Sequence, residues 1–235
     1  MTGAALSDEV LVRSLPGGFE NAFAEVNGAR LHYVVGGAGR PLVLLAGWPR
    51  TWWEFHKIMP SLVAVHRVIA VDIRGMGTSD KPEDGYDKKT MATDIHELAR
   101  HLGHDTIDIV GHDIGAMVSY SLAANYPDSV GKVVLLDVPH PHEGLAQIPL
   151  LPQPGQQIDP GSTPPEAPYL WWFAFNQVRS LPEQLLAGRT RLLIDWLLDY
   201  LAVQPNAISE HDRSVYPADT STPPKFEEPL ASPDR

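Results

Sequence analysis

The sequence predicts an α/β fold: a mostly parallel sheet with helices on both faces, carrying a helical cap. Three observations predict it. Four apolar runs lack polar alternation, PLVLLA at 41–46, RVIAV at 67–71, TIDIV at 106–110 and KVVLL at 132–136. Such runs mark strands buried on both faces. Segments of helical spacing lie between them, and strands joined by crossover helices become parallel neighbours. After Pro139 the strand pattern stops, and only loop and helical patterns follow.

The elements follow in order. Residues 23–26 and 30–35 read as two short strands, with Asn27-Gly28 as the tight turn between them. The buried run 41–46 is the next strand, and 51–65 has helical spacing. The run 67–71 is a second buried strand that ends at Asp72. Residues 88–102 place Met91, Ile95, Leu98 and Leu102 on one helical face. The strand 106–110 leads into a helix over 114–125, and 132–136 is a fourth buried strand. Residues 148–168 are dense in Pro, Gly and Gln and read as a linker. Helices are expected at 169–178 and 182–202, with a short one at 205–215. The resulting division is a sheet domain over 1–139, a cap over 140–216 containing that linker, and a disordered tail over 217–235.

Composition narrows the function. The chain has 235 residues, 43% hydrophobic and 20% charged, which suits a buried core. Its net charge of −11 repels phosphate backbones, so nucleic acid is not an expected partner. The absence of cysteine excludes disulfides, thiolate zinc sites, iron–sulfur clusters and a thiol nucleophile. The first ten residues show no signal-peptide pattern, and the apolar stretch 185–202 is interrupted by Arg189, Arg191, Asp195 and Asp199. A cytoplasmic protein without a membrane partner is expected.

Gly111-His112-Asp113-Ile114-Gly115 lies between a strand and a helix. Glycines two before and two after the central residue make this a nucleophile-elbow pattern. They let the central residue take a strained backbone and let neighbouring elements approach closely. Serine is usual at the centre; here it is Asp113. A carboxylate, with an ordinary pKa of about 3.9, is ionised at neutral pH without a base. It can attack an sp³ carbon bearing an epoxide oxygen or a halogen, giving an alkyl ester that an activated water then hydrolyses. The plainer alternative is a helix-capping Asp in an ordinary crossover. Ala46-Gly47-Trp48-Pro49 follows the strand 41–46, where the second oxyanion donor of such a fold lies, here the backbone N–H of Trp48. Residues 72–82, DIRGMGTSDKP, match neither a P-loop nor a dinucleotide fingerprint and read as a loop shaping the site floor. No cofactor is expected. Asp137, His140 and His142 offer too few ligands for a metal site.

Together AGWP at 46–49, DIRGMGTSDKP at 72–82, residues 111–141 and the lid stretch 169–189 resemble the α/β-hydrolase superfamily, within it the epoxide-hydrolase and haloalkane-dehalogenase branch. The resemblance implies that Asp113 is the nucleophile and that the N–H groups of Ile114 and Trp48 form the oxyanion hole. It implies a small-molecule substrate, and that His112 is an elbow neighbour whose side chain points away from it. Asp137 matches the alternative triad acid of some dehalogenases, with His140 or His142 as a substitute base. Trp171, Trp172, Phe173 and Phe175 line the pocket or form the core of the lid. Tyr169 or Tyr216 takes the place of the lid tyrosine that donates to an epoxide oxygen.

The chain departs from the family pattern at several positions. Ala46 stands where a loop-orienting His is usual, which implies a looser oxyanion loop. Ile114 and Met117 remove the halide-binding Trp and the carboxylate-binding Arg pair found in dehalogenases. These absences favour a neutral epoxide as substrate. The sequence after Tyr216 matches none of the strands that bring the triad acid and base His in related enzymes, so an interrupted chain with impaired turnover and an open, association-prone sheet edge is expected. The alternatives are a haloalkane or haloacid dehalogenase and a non-catalytic remnant that binds small apolar ligands.

Overall fold

The computed structural model describes residues 7–138, 147–152, 154–155, 157–158, 169–178, 180–202, 204 and 207–216. Six strands form one sheet: β1 (Glu20–Val26), β2 (Ala29–Gly36), β3 (Arg40–Leu45), β4 (His66–Asp72), β5 (Ile107–His112) and β6 (Val130–Leu136). Their spatial order is β1-β2-β4-β3-β5-β6. The hairpin β1–β2 is antiparallel and β2 joins β4 antiparallel, whereas β4, β3, β5 and β6 are parallel neighbours. The predicted α/β class and all six predicted strands are present. Asn27 and Gly28 both take positive φ, as a two-residue turn between twisted strands requires.

Three of the four apolar runs, in β3, β4 and β5, form the centre of the sheet because crossovers cover them. Leu42–Leu45 and Val68–Val71 are buried throughout. Helix α3 (Lys88–His101) starts at Asp87, whose carboxylate accepts the Thr90 N–H at 2.9 Å, and it buries Met91, Ile95 and Leu98. Helix α4 (Ile114–Asn125) has the predicted bounds and buries Ile114, Val118 and Leu122. Each such side chain contributes about 1.5–3 kcal/mol relative to exposure.

Four expectations need correction. A helix α1 (Asp8–Ser14) lies in the stretch read only for targeting signals, docked by Leu11 and Val12. At seven residues it is too short to be stable alone and exists through packing. Residues 51–65 form no continuous helix but a 3₁₀ turn (Trp52–Phe55) and α2 (Met59–Leu62). Pro60 lacks an N–H and starts a new turn instead of extending an old one. The expected helix over 182–202 is divided into α6 (Leu181–Leu186) and α7 (Thr190–Leu201), because Gly188 at φ 69° leaves the helical region between them. Two further helices are α5 (Trp171–Asn176) and α8 (Glu210–Val215). The linker falls largely, and the tail wholly, outside the described residues.

The fourth correction concerns KVVLL. It forms β6, but it is not buried: Val133 is 38%, Val134 47%, Leu135 39% and Leu136 40% exposed. Among the described residues β6 is the last strand of the sheet and has a strand neighbour on one side only. Four adjacent apolar residues at an open edge, with no charge among them, invite pairing. The surface left wet is worth about 0.5–1 kcal/mol per residue. The 25.8 kDa chain is therefore expected to associate in solution. Light scattering should show a species heavier than one chain that Leu135→Lys returns toward monomer mass without lowering the melting temperature. A monomeric parent would refute this. Among the described residues no helix is long and apolar enough to cross a membrane.

Candidate active site

The elbow is built by close packing. Asp113 sits between β5 and α4 at φ 49° and ψ −119°, a conformation that non-glycine residues rarely adopt. The flanking glycines make it possible. A Cβ on Gly111 would lie 2.3 Å from the Gly115 carbonyl oxygen, and one on Gly115 2.3 Å from the Leu45 carbonyl oxygen. The Asp113 N–H donates to the Leu136 carbonyl at 3.1 Å, which ties the elbow to β6.

Two backbone donors converge on the Asp113 side chain. The Trp48 N–H donates to Oδ2 at 3.0 Å, and the Ile114 N–H donates to the same carboxylate. These are the two groups expected to form an oxyanion hole. The carboxylate is surrounded by protein, while the residue as a whole is half-buried. Burial pushes its pKa above the ordinary carboxylate value, opposed by the Ile114 N–H, His112 and the Trp48 N–H.

The loop that carries Trp48 is held from behind. Glu54 Oε2 accepts the Gly47 N–H at 2.8 Å, and Arg50 Nη1 donates to Glu54 Oε1 at 2.8 Å. His112 Nδ1 lies 2.8 Å from Glu54 Oε1; its N–H is not aligned with that oxygen, so the contact is an ion pair and not a linear hydrogen bond. Burial pushes the Glu54 carboxyl up, but His112 and Arg50 bring it below its ordinary value. Burial likewise opposes the charged His112 ring, and Glu54 overrides it and raises the pKa. Gly47 is required because a Cβ there would lie 2.5 Å from His112 Nδ1 and 2.8 Å from the Asp113 Cβ. The peptide between Trp48 and Pro49 is cis.

Below this loop lies a buried charged cluster. Asp72, at the end of β4, accepts the Trp52 N–H at 2.7 Å and His32 Nδ1 at 2.8 Å. The other ring nitrogen of His32 faces Asn21 Oδ1, with Asp8 Oδ2 at 3.7 Å. Burial opposes the charged His32 ring, but the Asp72 carboxylate beside it raises its pKa and favours the imidazolium. Asp8 also accepts from Trp52 Nε1 at 2.7 Å and Thr78 Oγ1 at 2.9 Å, fastening α1 to the same cluster. The loop 72–82 contributes Asp72 and Thr78 to this cluster.

The remaining candidates are dispersed. The Asp137 side chain is almost fully exposed, with its nearest charged neighbour His112 Nε2 at 3.9 Å. His140 and His142 lie outside the described residues. Trp171, Trp172 and Phe175 pack with one another and with Trp196 and Tyr200, which are contacts within α5 and between α5 and α7. The Tyr169 N–H donates to the Tyr200 hydroxyl at 3.1 Å. Tyr216 is buried and lies within electrostatic reach of Arg50 and Glu54, on the oxyanion-loop side. Burial raises its pKa, so the hydroxyl keeps its proton. Glu54 and Arg50 were not singled out by sequence. The signal available was Thr51-Trp52-Trp53-Glu54, the spacing of a capping box.

A mostly parallel sheet that delivers residue 113 at a strand-to-helix elbow, beneath two converging N–H groups, has the arrangement of a nucleophile elbow in an α/β fold. Residues 40–159 match the family described as alpha/beta hydrolase fold, and the chain belongs to that family. Its similarity includes the epoxide-hydrolase branch. A soluble epoxide hydrolase of Corynebacterium sp. (strain C12) is 48% identical over 115 residues, which are 49% of this chain and 40% of that protein. A fluoroacetate dehalogenase of Burkholderia sp. is 36% identical over 126 residues, 52% of this chain and 41% of its own length. The solved structure of the epoxide hydrolase CorEH without ligand has a TM-score of 0.70 at 36% identity, covering 87% of this chain and 69% of that one. The chain thus spans less than half the length of these curated relatives.

Proposed function

We propose that this chain opens epoxides through an Asp113 alkyl ester. The observation that carries the reading is the convergence of the Trp48 and Ile114 N–H groups on the Asp113 carboxylate. One carboxylate oxygen attacks an epoxide carbon, the carbon–oxygen bond of the ring breaks, and the released alkoxide takes a proton. Tyr216, buried and within electrostatic reach of Arg50 and Glu54, is the candidate donor favoured over Tyr169. The product is a hydroxyalkyl ester of Asp113. When a nucleophile adds to its carbonyl carbon, negative charge develops on the oxygen that the two N–H groups address, which is where a preorganised donor lowers the barrier. Ile114 and Met117 supply neither an indole donor nor a cation, which favours a neutral epoxide over a halogenated acid.

Incubation with styrene oxide tests this. Intact mass should rise by one epoxide, peptide mapping should place it on Asp113, and Asp113→Asn should remain unmodified. No adduct and no diol would refute the reading and leave a binding chain. Halide release from a haloalkane without epoxide opening would replace it with a dehalogenase. Ester formation requires the ionised carboxylate, whose pKa burial raises. Its rate should therefore climb with pH about a midpoint above the ordinary value of about 3.9.

A further inference from the structure

We propose that Glu54 is the positioning residue of this site: its carboxylate sets the loop 46–49 against the elbow, so that the Trp48 N–H points at Asp113. Glu54 stands three residues after Thr51, where a capping box would return the carboxylate to the N–H of the cap residue. It does not return there. Thr51 Oγ1 accepts from the Trp53 N–H at 3.4 Å, while the Glu54 carboxylate crosses to the Gly47 N–H at 2.8 Å. Gly47 immediately precedes Trp48, whose own N–H reaches Asp113 at 3.0 Å. The same carboxylate holds His112, immediately before Asp113, and Arg50, immediately after Pro49. One buried group thus grips both strands of the oxyanion hole, the loop and the elbow.

Glu54 is itself fixed from two directions. Trp52, two residues before it, donates its N–H to Asp72 at 2.7 Å. Trp53 donates its indole N–H to Asp212 of α8 at 3.0 Å. The carboxylate therefore rides on a turn anchored to the sheet on one side and to the cap on the other. The Glu54 contacts to Gly47 and Arg50 supply from position 54 a restraint on the loop that Ala46 cannot give. A group held this way keeps a donor preorganised for a charge that appears only during reaction.

The inference deepens the Asp113 reading and rests on it, so its test needs a readout independent of that chemistry. The variants are Glu54→Ala and Glu54→Gln. The first readout is hydrogen exchange of the Trp48 amide together with NMR titration of the His112 ring, which also faces Asp113, Arg50 and Asp137. In Glu54→Ala the Trp48 amide should exchange at least about tenfold faster and His112 should titrate at lower pH. Glu54→Gln should retain most of the Trp48 protection, because its amide oxygen can still accept from Gly47, while His112 still titrates lower. The second readout compares formation of the styrene-oxide ester with its release by hydroxylamine. There the nitrogen adds to the ester carbonyl carbon, the alcohol leaves with a proton from nitrogen, and a hydroxamate remains on Asp113. Glu54→Ala should slow release about 10–100-fold and formation less than about threefold, since removing such a donor outright costs about 10²–10³. Unchanged Trp48 exchange in Glu54→Ala, or formation and release falling in parallel with the melting temperature, would overturn the proposal. If the parent forms no ester at all, the Asp113 reading fails, and the exchange and titration results alone decide the role of Glu54.

Discussion

Asp113→Asn is expected to abolish ester formation and, at neutral pH, to raise the melting temperature. The two effects have one cause. Asp113 is a charge enclosed by protein in a strained conformation, with N–H donors but, among the described residues, no cation bonded to its oxygens. An amide oxygen can still accept from Trp48 and Ile114, while the cost of desolvating a carboxylate disappears. Function-bearing strain of this sort commonly costs about 0.5–2 kcal/mol, equivalent to roughly 2–6 °C in a chain of this size. The pH dependence follows from the raised folded pKa. A carboxyl that binds its proton more tightly when folded contributes stability that is fully present below about 3.9 and lost as pH rises through the folded pKa. The variant lacks that loss. Calorimetry should therefore show the two melting temperatures converging in acid and separating as pH rises. Equal melting temperatures at all pH values would show that the carboxylate is not strained by its surroundings.

The second large effect is expected at His32. Both His32 and Asp72 are fully buried, and Asp72 holds the first N–H of the turn that carries Glu54. His32→Leu leaves the Asp72 carboxylate without its charged partner, and breaking a buried pair from one side costs about 3–5 kcal/mol. Denaturant titration should show that loss. The parent protein should also weaken in alkali. Burial opposes the charged His32 ring, but its hydrogen bond and attraction to Asp72 raise the pKa. Stability from the pair is then present below about 6.5 and lost as pH rises through the folded pKa. His32→Leu should lack this limb. A loss under about 1 kcal/mol would show that Asp72 is satisfied by its N–H donors alone.

Some of this architecture is legible locally. The strands, the bounds of the helix 114–125 and the elbow follow from short-range patterns: unbroken apolar runs, helical spacing and two glycines around Asp113. Element boundaries misled where a single residue breaks a pattern, as Pro60 and Gly188 do. The charged partners were not legible. Nothing near Glu54 announces Gly47 or His112, and His32 finds Asp72 from forty residues away. The aromatic residues 171, 172 and 175 stood out equally well as pocket or as lid core, and their visible contacts lie with Trp196 and Tyr200.

What the sequence determined alone is the six strands, the helices on either side of β5 and that a carboxylate stands at the elbow, because backbone sterics and hydrophobic periodicity act over a few residues. What only the tertiary structure decided is which groups face one another. Trp48 meets Asp113 across 65 residues, and KVVLL stays wet because burial depends on neighbours, not on hydrophobicity. Charge, desolvation and edge exposure are properties of assembled surroundings, and a linear pattern does not contain them.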